Sequence, residues 1–182
     1  MTTPPDNKNI EASMSPELTC PLNLPTVTLD IRPSKKEGAW DVYDPIRRKW
    51  VALTPEERVR QTFVNYLIKT CGFSPNRIAN EVGLKLNRTS RRVDTIIYDD
   101  TLLPFVVVEY KAPSVDITPK VVEQALRYNM VFKAPFLIAT NGLKQYTLYG
   151  TSPSGADLAV IKGHPTLPIL KDFLSSQKNK PL

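Results

Sequence analysis

The sequence predicts an α/β domain in which a mixed central sheet is flanked by helices. Two observations predict it. Thr-Pro opens a helical pattern twice, at residue 54 and at residue 118, and β-like segments lie between and after those helices. The order is helix, three strands in a meander, helix, then one or two strands, without an internal repeat or a glycine-rich phosphate loop. That order is not the regular alternation of a doubly wound parallel sheet.

Each element has a local reason. TVTLDIR (26–32), AWDVYD and RRKWVAL are extended stretches separated by turn-like residues, and together they predict a small β-hairpin before the first helix. Thr54-Pro55-Glu56-Glu57 offers an N-cap, a proline at the first helical position and the third-position glutamate of a capping box. Val59, Phe63, Tyr66 and Leu67 form the apolar stripe, and Cys71-Gly72 ends the helix. IANEVGLKL, RRVDTIIYD and PFVVVEYKA read as strands, 118–132 as the second helix, and PFLIATNG and QYTLYGT as strands joined at Asn141-Gly142. Residues 1–25, rich in Pro, Thr, Ser and Asn, read as a flexible tail; 26–151 is the domain; 152–182 is an extension with a short strand and a helix.

Composition narrows the function classes. A chain of 182 residues with 41% hydrophobic and 23% charged residues suits one soluble domain. It shows no membrane-length apolar run and no signal segment, so the expectation is cytoplasmic. Cys20, Cys71 and His164 are too few for a Cys/His zinc site or a disulfide framework. A net charge of +6 suits a polyanionic partner, and the cations cluster at Arg47-Arg48-Lys49, at Arg58 and Arg60, and at Arg88, Arg91 and Arg92.

The chemistry lies in FVVVEYKAP. Strand alternation puts Phe105, Val107, Glu109 and Lys111 on one face and Val106, Val108 and Tyr110 on the other. A hairpin centred between Thr101 and Leu102 pairs Asp99 with Pro104, and the same register places Asp94 opposite Glu109 on the same face. A slip of one residue would separate them. Two opposed carboxylates repel unless a cation lies between them, and Mg²⁺ prefers such an oxygen-rich setting. With a lysine alongside, the pattern fits a Mg²⁺ site for phosphodiester hydrolysis. The plainer reading is a surface ion pair between Glu109 and Lys111 with Asp94 solvated.

Asp94, then Glu109-Tyr110-Lys111 after an apolar strand, in this element order, resembles the PD-(D/E)XK nuclease superfamily. Gln124 and Tyr128, four apart on one helix face, resemble the Q-x-x-x-Y pair of RecB-like members and type I restriction subunits. YDPIRRKWVALTPEERVRQ, RRVDTIIYDD, VVVEYKAP, EQALRYN and LIATNG are similar to the N-terminal nuclease domain of type I restriction enzyme R subunits, and more closely to its short stand-alone bacterial form. The likeness covers residues 28–151.

The resemblance implies a restriction-endonuclease-like core, with the hairpin as an N-terminal addition. It implies Asp94 and Glu109 as metal ligands, the backbone carbonyl of Tyr110 as a third, and Lys111 as the catalytic lysine. Gln124 would support catalysis and Tyr128 would contact DNA. Val93 stands where the motif's proline would be. An acid from the first helix often joins such a site; Glu56 and Glu57 compete, and Glu56 is favoured because the capping box accounts for Glu57. Glu81, in IANEVGL, is a further acidic candidate, with a solvent-facing strand residue as the favoured reading. Arg58, Arg60, Arg91 and Arg92 are candidate phosphate contacts. Mg²⁺ is the expected cofactor, with Mn²⁺ as a substitute, and DNA the expected partner. No Walker A loop occurs in the chain, so a motor or specificity subunit would come from another chain. The function implied is a metal-dependent DNA endonuclease domain. The alternative is a catalytically silent nucleic-acid-binding or interaction module of the same fold.

Overall fold

The structure is a computed structural model describing residues 14–86, 89–150 and 158–178. A helical turn, α1 (Pro16–Thr19), precedes β1 (Ile31–Pro33), β2 (Trp40–Asp44) and β3 (Lys49–Ala52). Then come α2 (Pro55–Lys69), β4 (Ile78–Leu86), β5 (Thr89–Tyr98), β6 (Pro104–Tyr110) and α3 (Pro119–Phe132). The chain continues through β7 (Phe136–Thr140), β8 (Gln145–Tyr149), β9 (Ala159–Ile161) and α4 (Leu167–Lys178).

The expected hairpin is a three-stranded antiparallel sheet, because Ile31–Pro33 adds itself to the far edge of β2. The main sheet has six strands in the order β4-β5-β6-β7-β8-β9. Only the β6–β7 pair is parallel among its described pairings. A parallel step requires a crossover, and α3 supplies it. Helices cover both faces of the sheet. Val59, Phe63 and Leu67 of α2 and Leu170 of α4 pack with Ile97, Val106, Val108, Tyr110, Phe136 and Ile138. On the other face Leu126 of α3 packs with Val93, Ile96, Val107, Leu137 and Leu148. A strand buried on both faces reads as a continuous apolar run, which is why FVVV has no alternation of its own.

Two boundaries change. Residues 1–13 lie outside the description, but the following stretch is not a free tail. Leu22 and Leu24 pack against the α2-side core, and the Asn23 amide and side chain donate to Gly142 and Leu143 carbonyls, both at 2.8 Å. Gly142, at φ +81°, lies so close that a Cβ there would come within 2.9 Å of Leu22. At the other end β9 pairs with β8 and Leu170 is fully buried, so the C-terminal strand and helix complete the sheet and its core.

The β5–β6 turn also differs from expectation, with a consequence for the site. The Asp99 amide donates to the Leu103 carbonyl at 2.9 Å, and Tyr98, not Asp99, stands opposite Pro104. The register then shifts by one residue, so that Ile97, Ile96 and Thr95 face Val106, Val107 and Val108. Phe105 is the extra residue of this bulge, and its side chain joins Val106 in the α2-side core instead of sharing the Val107 face as expected. Without the bulge, Asp94 would approach Val108. With it, Asp94 and Glu109 become the next residues along the two strands.

Leu170→Ala should lower unfolding free energy by about 2–5 kcal/mol, the cost of a cavity at a fully buried leucine. Urea denaturation measures this directly; a loss below about 0.5 kcal/mol would mean that α4 is not part of the core.

Candidate active site

Ladder pairing between β5 and β6 stops after Thr95–Val108. Just beyond, the Asp94 carboxylate lies between two elements. Its Oδ2 accepts the Tyr110 backbone N–H at 2.9 Å, and its Oδ1 accepts from Arg60 Nη2 on α2, also at 2.9 Å. Glu109 follows Val107 on the α3 face and is 2% exposed. Its Oε1 accepts from Lys111 Nζ and from Gln124 Nε2, each at 2.6 Å. Gln124 Nε2 also lies 3.3 Å from the Tyr128 hydroxyl, so the two helix residues act together. Tyr110 points the other way and packs edge-on against Phe63, with ring centroids 5.9 Å apart.

The strand alternation breaks at Asp94. Val93 and Ile96, three apart, both join the α3-side core, while Asp94 turns to α2. Across from Asp94 on β4, between the Asn80–Thr95 and Val82–Val93 pairs, Glu81 adopts φ +57°. A left-handed backbone at a residue other than glycine costs roughly 1–3 kcal/mol and must be held by its surroundings. Here Glu81 Oε1 is held by Arg60 Nη1 at 2.8 Å.

Burial and crowding set the charges. Burial, then the charges of Asp94 and Glu56, push the Glu109 carboxyl up to about 7 and outweigh its contact with Lys111. Burial raises Asp94 as well, against the pull of Arg60 and the Tyr110 amide. Glu56, half-buried, is raised by burial and then by Asp94. For Lys111 burial acts downward, but the hydrogen bond to Glu109 and the charges of Glu109, Glu56 and Asp94 prevail and hold it as an ammonium.

The structure therefore brings Asp94, Glu109, Lys111, Gln124 and Tyr128 together, with Glu56 in the same field. Glu57 has a different role from the one expected. Its backbone N–H does donate to the Thr54 hydroxyl at 3.1 Å, but its carboxylate binds Arg47 at 2.9 Å, Arg60 at 2.6 Å and Gln61 at 2.8 Å. Glu81 is not solvent-facing: it is drawn in by Arg60. Arg60 is not placed to meet a phosphate, being 3% exposed and surrounded by the carboxylates of Glu57, Glu81 and Asp94. Arg58 donates to the Cys20 carbonyl at 2.8 Å and so serves the N-terminal segment. Arg91 and Arg92 are exposed on β5. Cys20 and Cys71 are free thiols.

A polar network behind the site was not foreseen. Asp44, fully buried, binds Arg47 and accepts from Asn80 at 3.1 Å, and Asn80 accepts from Thr95 at 2.7 Å. Its sequence signal was Glu57, Arg60 and Gln61 at helical spacings of three and four.

No three His, Cys, Asp or Glu side chains form a ready-made metal cluster among the described residues. Asp94 and Glu109 are nevertheless two oxygen donors at one opening of the sheet.

The model of the type I restriction enzyme R protein N terminus matches residues 55–165, more than half of the chain and every residue of this opening. The chain belongs to that family. The fold is similar to that of a solved fragment assigned as an HsdR subunit of a type I restriction enzyme from Vibrio vulnificus YJ016. The TM-score is 0.52 at 18% identity, over 69% of this chain and 26% of that one. The chain thus spans about a quarter of that fragment. No curated protein matches it. β1–β3 precede the span matched by the family model. Among the described residues no helix is long and apolar enough to cross a membrane.

Glu109 makes the stability of the metal-free protein depend on pH. Its folded value, about 7, lies above the 4.5 of an ordinary glutamate. The associated stability is complete below about 4.5 and is lost as pH rises through 7, by about 3 kcal/mol at 1.36 kcal/mol per unit. Thermal melts in chelator from pH 4.5 to 8 should show this decline in the wild type and lose most of it in Glu109→Gln. Parallel curves would exclude Glu109 as its source.

Proposed function

We propose that this domain is a metal-dependent deoxyribonuclease hydrolysing phosphodiester bonds, with the catalytic centre at the β5–β6 opening. The observation that carries the reading is the convergence of Asp94, Glu109, Lys111 and Gln124 there, on a fold shared with an HsdR fragment. The donor set fits Mg²⁺, with Mn²⁺ as a substitute. Mg²⁺ takes one or two carboxylates and keeps several waters, so a third acidic ligand is not required. Asp94, Glu109, the Tyr110 carbonyl and Glu56 would hold it. When bound, the ion would neutralise phosphate charge and lower the pKa of a coordinated water.

The protein's own groups have distinct tasks. Lys111, held as an ammonium, is a donor for charge developing on a phosphate oxygen and not a base at neutral pH. Gln124 fixes the Glu109 carboxylate from the α3 side, and Tyr128 braces Gln124. Exposed Arg91 and Arg92 are the cations on β5 available to a nucleic-acid backbone, with Tyr128 a further candidate contact. The overall reaction is attack by water on phosphorus with departure of a sugar oxygen. The family's relation to type I restriction enzymes supports DNA as substrate and a motor or specificity subunit as partner.

Lys111→Ala should reduce plasmid nicking in Mg²⁺ or Mn²⁺ about 10²–10³-fold, the usual loss for one transition-state donor. Equal nicking by both proteins at matched purity would refute the assignment. Metal should also raise the melting temperature more at pH 8 than at pH 5, where protons occupy Glu109. Calorimetric titration without Asp94- and Glu109-dependent binding would instead support a silent module.

A further inference from the structure

The nuclease reading leaves Arg60 without a task, although its side chain is only 4% exposed and meets carboxylates from three elements. We propose that Arg60 is a positioning residue, which holds Asp94 in the orientation the metal needs and anchors that orientation to the N-terminal sheet. The metal part of this inference rests on the proposed site.

The geometry is that of a fork. Nη1 donates to Glu57 Oε2 at 2.6 Å and pairs with Glu81 Oε1 at 2.8 Å, while Nη2 donates to Asp94 Oδ1 at 2.9 Å. The guanidinium carbon lies 5.6 Å from the Tyr110 ring centre, so the plane is also confined by the core. A planar guanidinium fixes the angles between carboxylates on α2, β4 and β5, which a flexible ammonium on a single nitrogen does not. Asp94 is thereby held at both oxygens, by Arg60 and by the Tyr110 amide, and each oxygen keeps further acceptor capacity.

The hold extends outward. Glu57 Oε1 accepts from Arg47 Nη2 at 2.9 Å, and Arg47 binds the fully buried Asp44 at the end of β2. Asp44–Arg47–Glu57–Arg60–Asp94 is therefore a continuous ion-pair chain. It starts in the three-stranded sheet, before the span matched by the family model, and ends at the proposed metal ligand. Even counting Arg92, whose contact with Glu81 is 3.5 Å, the group holds four carboxylates against three arginines and so keeps a net negative charge.

Mn²⁺ titration of wild type and Arg60→Lys tests the role, with far-UV circular dichroism to establish that both are folded. Arg60→Lys keeps the charge and loses the fork, so Mn²⁺ affinity should fall about tenfold or more, as for other residues that orient metal ligands. Turnover should fall with KM unchanged. Equal Mn²⁺ affinity would overturn the proposal, because charge alone would then suffice; so would a lowered melting temperature with unchanged affinity, which is a purely structural effect. If Arg60→Lys does not fold, Arg47→Met decides through the same titration. Weaker Mn²⁺ binding supports the chain, and wild-type binding overturns it. Mn²⁺ binding without DNA cleavage in the wild type would defeat the nuclease reading alone. Absence of Mn²⁺ binding in the wild type would defeat the metal site and this inference with it.

Discussion

The Tyr110 backbone N–H has to be satisfied inside a core, and Asp94 satisfies it. A buried amide without a partner is expensive, and at this position the neighbouring strand has already stopped pairing. The carboxylate of Asp94 takes the place of the missing carbonyl. Its position is therefore fixed by the same requirement that fixes the sheet, and β5 can part from β6 without leaving an orphan. Lys111 continues the other edge by donating its own amide to Thr140 at 2.9 Å. Glu109, between them, is held at the mouth of this opening.

Charge then organises what surrounds the opening. Burial raises the pKa of both Glu109 and Asp94, and the charge of Asp94 pushes Glu109 up further, a cost that a core would not retain without compensation. Lys111 and Gln124 compensate one carboxylate from the α3 side, and Arg60 the other from the α2 side. The strained backbone of Glu81 belongs to the same arrangement, because it delivers a further carboxylate to Arg60 from the sheet edge. Two helices on opposite faces thus converge on one end of one strand pair, and the N-terminal sheet reaches it through Arg47.

Much of this was legible. Thr54-Pro55 and Thr118-Pro119 marked both helix starts because capping and proline at the first turn are local effects. Gln124 and Tyr128 could be paired because helical spacing is fixed. The Asp94–Glu109 juxtaposition is legible only in part: the shift at Tyr98–Pro104 and the Phe105 bulge cancel, so the two acids follow the last pair, Thr95–Val108. They do not share a face as expected, because Asp94 turns to Arg60 on α2 while Glu109 stays with Gln124 on the α3 side. A bulge depends on how the turn and the core fit together, and no residue of TLLPFVVV announces it.

By itself, the sequence determined the elements, the α/β class, and the set of acids and amides available, since these follow from local periodicity and residue chemistry. The tertiary structure decided which charges face inward. Arg60 looks like any surface arginine on a helix until Glu81 and Asp94 arrive from other strands, and Glu57 looks like a capping residue until Arg47 comes within reach. A charge's cost and its role depend on the dielectric and the partners around it, and those exist only once distant segments have packed.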